Sequence, residues 1–318
     1  MRGTGLALLA ASLTAVAQRR GALPRIGLLT SGTGLVEPPF WQGMRDLGYV
    51  EGKTIIVERR SADGELSRLP ALADELVRAR PDVIVAIVTA ATIAASRATQ
   101  TIPIVMVSIG DPVAAGVVGN FARPGGNVTG TSGQSTAAIG KQIEIIRQVL
   151  PRATRIAMLW NPTNAIFQQQ LLGEALTAAA RLQMLARILE VRNRDELDRA
   201  FAAMTSERPD AVLVFIDPVV TANVDRLVEL SIAHRLPTFS GSRHLVEAGV
   251  LASYGADLTL VARRAATYVQ RILKGAKPGD LAIEQPTKFE LIVNLRTAKA
   301  LGIEMPGTLV ARADEAIR

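Results

Sequence analysis

Residues 102–133 read IPIVMVSIGDPVAAGVVGNFARPGGNVTGTSG, and the first half of that stretch sets the fold. Residues 102–107 form a short apolar run rich in β-branched side chains, closed off by Gly110-Asp111-Pro112, which predicts a buried strand with its polar residues gathered at the carboxyl end. In an open parallel α/β sheet ligands bind at that end. Ser108, Gly110 and Asp111 are therefore expected to line a cleft. Arg123-Pro124-Gly125-Gly126-Asn127 then enforces a turn. Residues 128–133 are extended and small, and are expected to run out into a hinge, with one lobe before them and most of a second after.

Working outward, the preceding residues alternate strands with helices. Arg25-Ile26-Gly27-Leu28-Leu29 predicts a strand ending in small polar residues at 30–34, residues 38–47 a helix stopped at Gly48, residues 54–60 a strand, and residues 66–79 a helix with apolar spacing. Residues 83–88 are continuously apolar, as a parallel strand covered on both faces requires. They end at Thr89, with a helix expected over 90–99. This order implies βαβ units and a parallel sheet.

The following residues repeat the plan. Arg155-Ile156-Ala157-Met158-Leu159 answers the strand at 25–29, Arg208-Pro209-Asp210 answers Arg80-Pro81-Asp82, and Leu236-Pro237-Thr238 answers Ile102-Pro103-Ile104, at nearly one offset. Three such matches predict two lobes of like topology. They make Thr89 equivalent to Asp217, Ser31 to Asn161, and Ser108 to Gly241 or Ser242. Helices are expected over 164–182, 195–204, 218–234 and 257–274, strands over 250–255 and 289–294, and a closing helix over 296–301.

Composition narrows the function. The chain has 318 residues, of which 48% are hydrophobic, enough for two domains of ordinary size. Met1-Arg2, the apolar residues 6–16 and Ala15-Val16-Ala17 before Gln18 match a secretory signal peptide over residues 1–17, too short in its apolar part to span a bilayer. There is no cysteine and the formal charge is +7, but the basic residues are scattered with few aromatics between them. They read as a solvated surface, not a nucleic-acid interface. Two histidines and no cysteine make no zinc site. No nucleophile elbow or phosphate loop occurs, and Gly32-Thr33-Gly34 lacks the third glycine of a dinucleotide fingerprint. Binding is favoured over catalysis, with no cofactor or metal.

Several longer stretches carry a resemblance: Leu47-Gly48-Tyr49-Val50-Glu51-Gly52, Gly110-Asp111-Pro112-Val113, Ala122-Arg123-Pro124-Gly125-Gly126-Asn127-Val128-Thr129-Gly130, Trp160-Asn161-Pro162, Val246-Glu247-Ala248-Gly249, Ser253-Tyr254-Gly255 and Gln285-Pro286-Thr287-Lys288-Phe289-Glu290-Leu291. Over residues 24–317 the chain resembles the ABC transporter substrate-binding protein family, whose characterised relatives include a tryptophan-binding protein. It departs from that pattern at Thr89-Ala90-Ala91-Thr92, where many relatives carry a Gly-Thr-Pro start to the helix. The resemblance implies a type I periplasmic-binding-protein fold, α/β with two Rossmann-like lobes of parallel sheet joined by three crossovers. These are expected at 130–135, 249–251 and 283–286, giving lobe 1 as 24–130 plus 250–282 and lobe 2 as 131–249 plus 283–318. It also implies a periplasmic monomer that captures a small molecule, an amino acid by analogy, and passes it to an inner-membrane ABC permease. A sensory protein signalling to a membrane receptor reads alike, and a transcription-regulator core shares the fold but needs a DNA-binding helix pair.

The candidate ligand residues lie at strand ends. The helix start near Ala90 and Ala91 offers backbone N–H groups to a carboxylate, with hydroxyls from Thr89 and Thr92; Thr89 serves equally as a cap. Asp217 and Asp111 either accept from a ligand ammonium or cap the segment that follows. Ser31, Gly32, Ser108, Asn161 and Ser240 supply hydrogen bonds or settle local turns. Trp160 and Tyr254 are placed to stack on a flat ligand, as are Phe40 and Trp41, although Trp41 at helical spacing reads as core. Asn164 reads as a cap, and His244 and Glu247 as rim or plain surface.

Overall fold

The computed structural model describes residues 22–32, 34–133 and 135–318; the signal peptide expected at 1–17 lies outside them. The first half runs β1 (Arg25–Thr30), α1 (Glu37–Asp46), β2 (Ile56–Ser61), α2 (Leu69–Ala79), β3 (Val83–Ile87), α3 (Val88–Ala98), β4 (Ile104–Ile109) and β5 (Val128–Ser132). The second half begins α4 (Ser135–Val149), β6 (Arg155–Trp160), α5 (Ala165–Arg181), β7 (Leu185–Glu190), α6 (Arg194–Glu207) and β8 (Ala211–Val214). It continues with α7 (Pro218–Ala222), α8 (Val224–Ala233), β9 (Thr238–Ser240), α9 (Arg243–Ala248) and β10 (Ala252–Ala256). Then come α10 (Leu258–Leu273), β11 (Phe289–Asn294), α11 (Leu295–Leu301), α12 (Gly307–Arg312) and β12 (Glu315–Ile317).

The strands form two sheets. One has the order β2-β1-β3-β4-β5, and in the other β7-β6-β8-β9-β10 repeats that order before β11 and β12 extend the edge. Every pairing is parallel except β10 with β11. The repeated Arg-Pro-Asp motifs show why the halves align. Arg80 and Arg208 end α2 and α6 in the left-handed region, at φ 50° and 46°. Asp82 then accepts from the backbone N–H of Arg25 at 2.8 Å, and Asp210 from that of Arg155 at 2.9 Å. Each motif stops a helix and pins the first strand of its lobe beside the next.

Each sheet buries both faces, and alternation along the strands divides the core. Val83, Val85 and Ile87 pack with Phe40 of α1 and Val269 of α10, while Ile84 and Ala86 pack with Leu76 of α2 and Ala95 of α3. In the second lobe Ile156 and Met158 face α4 and α5, and Ala157 and Leu159 face Phe201 of α6. Phe40 is fully buried in the first core. Trp41 packs beside it, with the Arg59 guanidinium 5.2 Å from its ring centroid, so both aromatics support the lobe away from any cleft.

Several boundaries differ from the sequence reading. β10 pairs with β9 and β11 in the second sheet, so residues 252–256 belong with lobe 2. The middle crossover thus falls after Ala256 instead of at 249–251, and α10 returns the chain to lobe 1. Asp257 caps α10 by accepting from the Leu260 N–H at 2.9 Å. The helix expected over 218–234 breaks at Asn223 into α7 and α8. The β7 strand and the closing α12 and β12 are additional.

The other two crossovers run side by side. Thr131 and Glu284 form a parallel bridge, with Ser132 N–H donating to Glu284 O at 2.8 Å and Glu284 N–H donating to Gly130 O at 3.0 Å.

Candidate functional site

The carboxyl ends of β1, β3 and β4 face those of β6 and β8 across the seam between the lobes, and one cavity opens there. Lobe 1 contributes Ser31, Leu35, Val36, Leu66, Val88, Thr89, Ala90, Ser108 and Leu258; lobe 2 contributes Asn164, Phe167, Ile216, Asp217, Pro218 and Thr221. About 70 Å³ of it is open to the centres of water-sized molecules, and an adjoining cleft offers about 340 Å³ more.

On the lobe 1 wall β3 passes into α3 without a loop. Ile87 is the N-cap residue, in extended conformation and with no side-chain cap. Val88, Thr89 and Ala90 are therefore the first three helical residues. Their N–H groups have no acceptor inside the helix and stand at its positive end. The turn places Val88 at φ 64°, and Ser108, at the end of the neighbouring strand, at φ 58°. Left-handed backbone at such residues costs about 1–3 kcal/mol each and concentrates at ligand sites. Ser31 is fully buried and its Oγ has no hydrogen-bond partner among the described residues. This wall offers donors and, among the described residues, carries no charged side chain.

The lobe 2 wall is built on Asp217, which is 2% exposed. Its carboxylate accepts from Asn161 Nδ2 at 2.9 Å, Val219 N–H at 2.9 Å, Asn164 Nδ2 at 3.1 Å and Gln168 Nε2 at 3.2 Å. Gln168 is held in turn by the Asn161 N–H, which donates to its Oε1 at 2.6 Å. Burial pushes the Asp217 carboxyl above its ordinary value, and the hydrogen bonds from Asn161, Val219 and Asn164 offset only part of that. Among the described residues no basic side chain lines the cavity to neutralise it. Thr221 Oγ1, on the same wall, is buried without a partner among the described residues.

Of the residues expected from the sequence, Ser31, Thr89, Ala90, Ser108 and Asp217 meet in this cavity. Thr89 is not the cap of α3; its Oγ1 instead accepts from the Gly110 N–H at 3.3 Å. Asn161 lies behind the wall and orients Asp217. Asn164 is a boundary residue whose side chain makes no cap, turning to Asp217 instead.

The rest lie elsewhere. Ala91 is core, and Thr92 is buried with its hydroxyl donating to Val88 O at 2.9 Å. Asp111 Oδ1 accepts from Val113 and Ala114 N–H groups, which closes a turn. Gly32 is exposed outside the cavity, and Ser240 is wholly buried in its strand. Trp160 and Tyr254 pack against the lobe 2 core, Tyr254 stacked on Phe289 at 5.9 Å between ring centroids. His244 and Glu247 fall in α9, away from the lining. Phe167, Asn164, Thr221 and Leu258 entered the site from helices, where no strand-end signal marks them.

The model of the family described as ABC transporter substrate binding protein matches residues 34–317. A tyrosine-binding protein of Clostridioides difficile is 26% identical over 266 residues, covering 83% of this chain and 76% of that protein. Among solved structures, a conserved domain protein of Vibrio cholerae superposes with TM-score 0.87 at 27% identity, over 93% of this chain and 100% of that one. A Streptococcus pneumoniae ABC domain in complex with L-Trp superposes with TM-score 0.86 at 25% identity, over the same shares. A two-lobed α/β frame with a cavity at its seam, matched by the family model along nearly its whole described length, identifies the chain as a member of the ABC transporter substrate-binding protein family.

Proposed function

We propose that this protein captures a zwitterionic α-amino acid, aromatic ones included, between its lobes and delivers it to an inner-membrane permease. The observation that carries the reading is the polarity across the cavity. The N–H groups of Thr89 and Ala90 at the start of α3 and the unpartnered Ser31 hydroxyl line one side, and the buried Asp217 carboxylate lies opposite with no basic side chain among the described lining residues. A ligand carboxylate fits the first wall. An ammonium fits the second, where Asp217 adds charge complementarity; its position is already fixed by four hydrogen bonds from its own lobe. Phe167, Leu66 and Leu258 offer apolar surface to a side chain.

The tyrosine-binding relative and the L-Trp complex support amino acids as the ligand class. Residues 1–17 direct export to the periplasm, where the chain acts as a monomer and carries out no chemistry on its ligand. No helix among the described residues is long and apolar enough to cross a membrane.

The test is a thermal-shift panel of the twenty L-amino acids, each beside its amide and its decarboxylated amine. An accepted amino acid at a hundred times its Kd should stabilise the fold by about 2.7 kcal/mol. The amide and amine should lose most of that. No shift with any amino acid, or an amide bound as well as its acid, would end the reading.

A further inference from the structure

The adjoining cleft follows a single face of α3. Thr89, Ala90, Ile93, Ala94, Arg97 and Ala98 recur at helical spacing along its wall. Thr89 to Arg97 is eight residues, roughly 12 Å at about 1.5 Å per residue, so the cleft leads from the carboxylate-binding helix start to the last turn. Leu66, Leu69 and Pro70 give it an apolar side. At its far end stand Asp74, from α2, and Arg97. Both are exposed, and neither makes a hydrogen bond or ion pair among the described residues, although they carry opposite charges and line the same cleft.

Two opposite, uncommitted charges beyond an apolar channel define a subsite that tests the distal end of a ligand. A guanidinium only donates and a carboxylate only accepts, whereas a phenol does both. We infer that Arg97 and Asp74 are specificity-determining residues selecting an aromatic amino acid with a para hydroxyl, the ring lying against Leu66, Leu69 and Ile93. This rests on the amino-acid reading above and deepens it.

Isothermal titration with L-phenylalanine and L-tyrosine tests it on the wild type, Arg97→Gln and Asp74→Asn. The wild type should prefer tyrosine. Each variant should reduce that preference by about tenfold, the scale of one hydrogen bond to a charged group, with phenylalanine affinity unchanged. Both side chains are exposed and unpaired, so the ligand-free melting temperatures should match the wild type and confirm folding. Equal wild-type affinity for the two ligands, or variants that weaken both alike or neither, would overturn the subsite while leaving the amino-acid reading intact. A wild type that binds neither of these two but binds other amino acids would also sink only the subsite. One that binds no amino acid at all sinks both.

Discussion

Gly110 and Phe167 meet across the seam between the lobes with no room for a methyl group. A Cβ built on Gly110 would stand 2.5 Å from Cε2 and 2.7 Å from Cδ2 of the Phe167 ring. Gly110 follows β4 in lobe 1 and Phe167 belongs to α5 in lobe 2, so this approach exists only while the lobes are together. Gly110→Ala is expected to penalise the closed form by roughly 1–3 kcal/mol, the usual cost of overpacking, and to leave each lobe folded. Ligand affinity should fall about tenfold or more with the ligand-free melting temperature nearly unchanged. Titration calorimetry beside melting curves decides it.

Ser31 separates a ligand contact from a structural one. Its hydroxyl is buried without a partner among the described residues, so Ser31→Ala removes no hydrogen bond seen there and should leave stability unchanged or slightly improved. Affinity for the accepted amino acid should drop on the order of tenfold, as one lost hydrogen bond to a carboxylate implies. A variant that loses stability instead would show that the hydroxyl serves the fold.

Asp217 makes stability depend on pH in a definite direction. Its folded value is raised above the ordinary 3.8, mainly by burial. Between the two values the folded protein binds more protons than the unfolded chain, so the stability from this group is fully present below the ordinary value and is lost as pH rises through the raised one. Asp217→Asn cannot titrate. The melting-temperature difference between wild type and variant should therefore shift against the wild type on raising pH across that window, while ammonium binding improves as the carboxylate ionises.

The two Arg-Pro-Asp motifs should be energetically alike. Asp82→Ala frees the Arg25 N–H, and Asp210→Ala frees those of Thr154 and Arg155. Each substitution should cost about 1–3 kcal/mol, the scale of lost backbone hydrogen bonds to a charged group, and chemical denaturation measures both. A large cost in one lobe and none in the other would break the equivalence of the halves.

Much of this architecture could be read from residue order because apolar runs ending in small polar residues mark parallel strand tips, and the tips of β1, β3, β4 and β8 do reach the cavity. Side-chain parity was harder to read. Trp160 lies two residues after Met158 and four after Ile156, so strand alternation sends it into the same core face, as it sends Tyr254 beside Ala252. Helical rotation likewise turns Thr89 and Ala90 to the cavity but Ala91 and Thr92 to the sheet. The membership of β10 rests on which strands it hydrogen-bonds, a long-range choice that its five residues do not encode. Phe167 and Thr221 sit on amphipathic helices, where a residue facing a seam has the same pattern as one facing a core.

The paired crossovers at Thr131 and Glu284 restrict how the molecule can open. Because Ser132 and Gly130 are tied to Glu284 through the backbone, those two connections form a double-stranded spine, which Thr129 Oγ1 extends by donating to Leu281 O at 2.7 Å. Sliding or twisting one lobe past the other would tear these bonds, whereas bending about the spine preserves them. Bending about that paired spine is therefore the expected way for the mouth to widen, and a guest would be sensed as a change in the angle between the lobes.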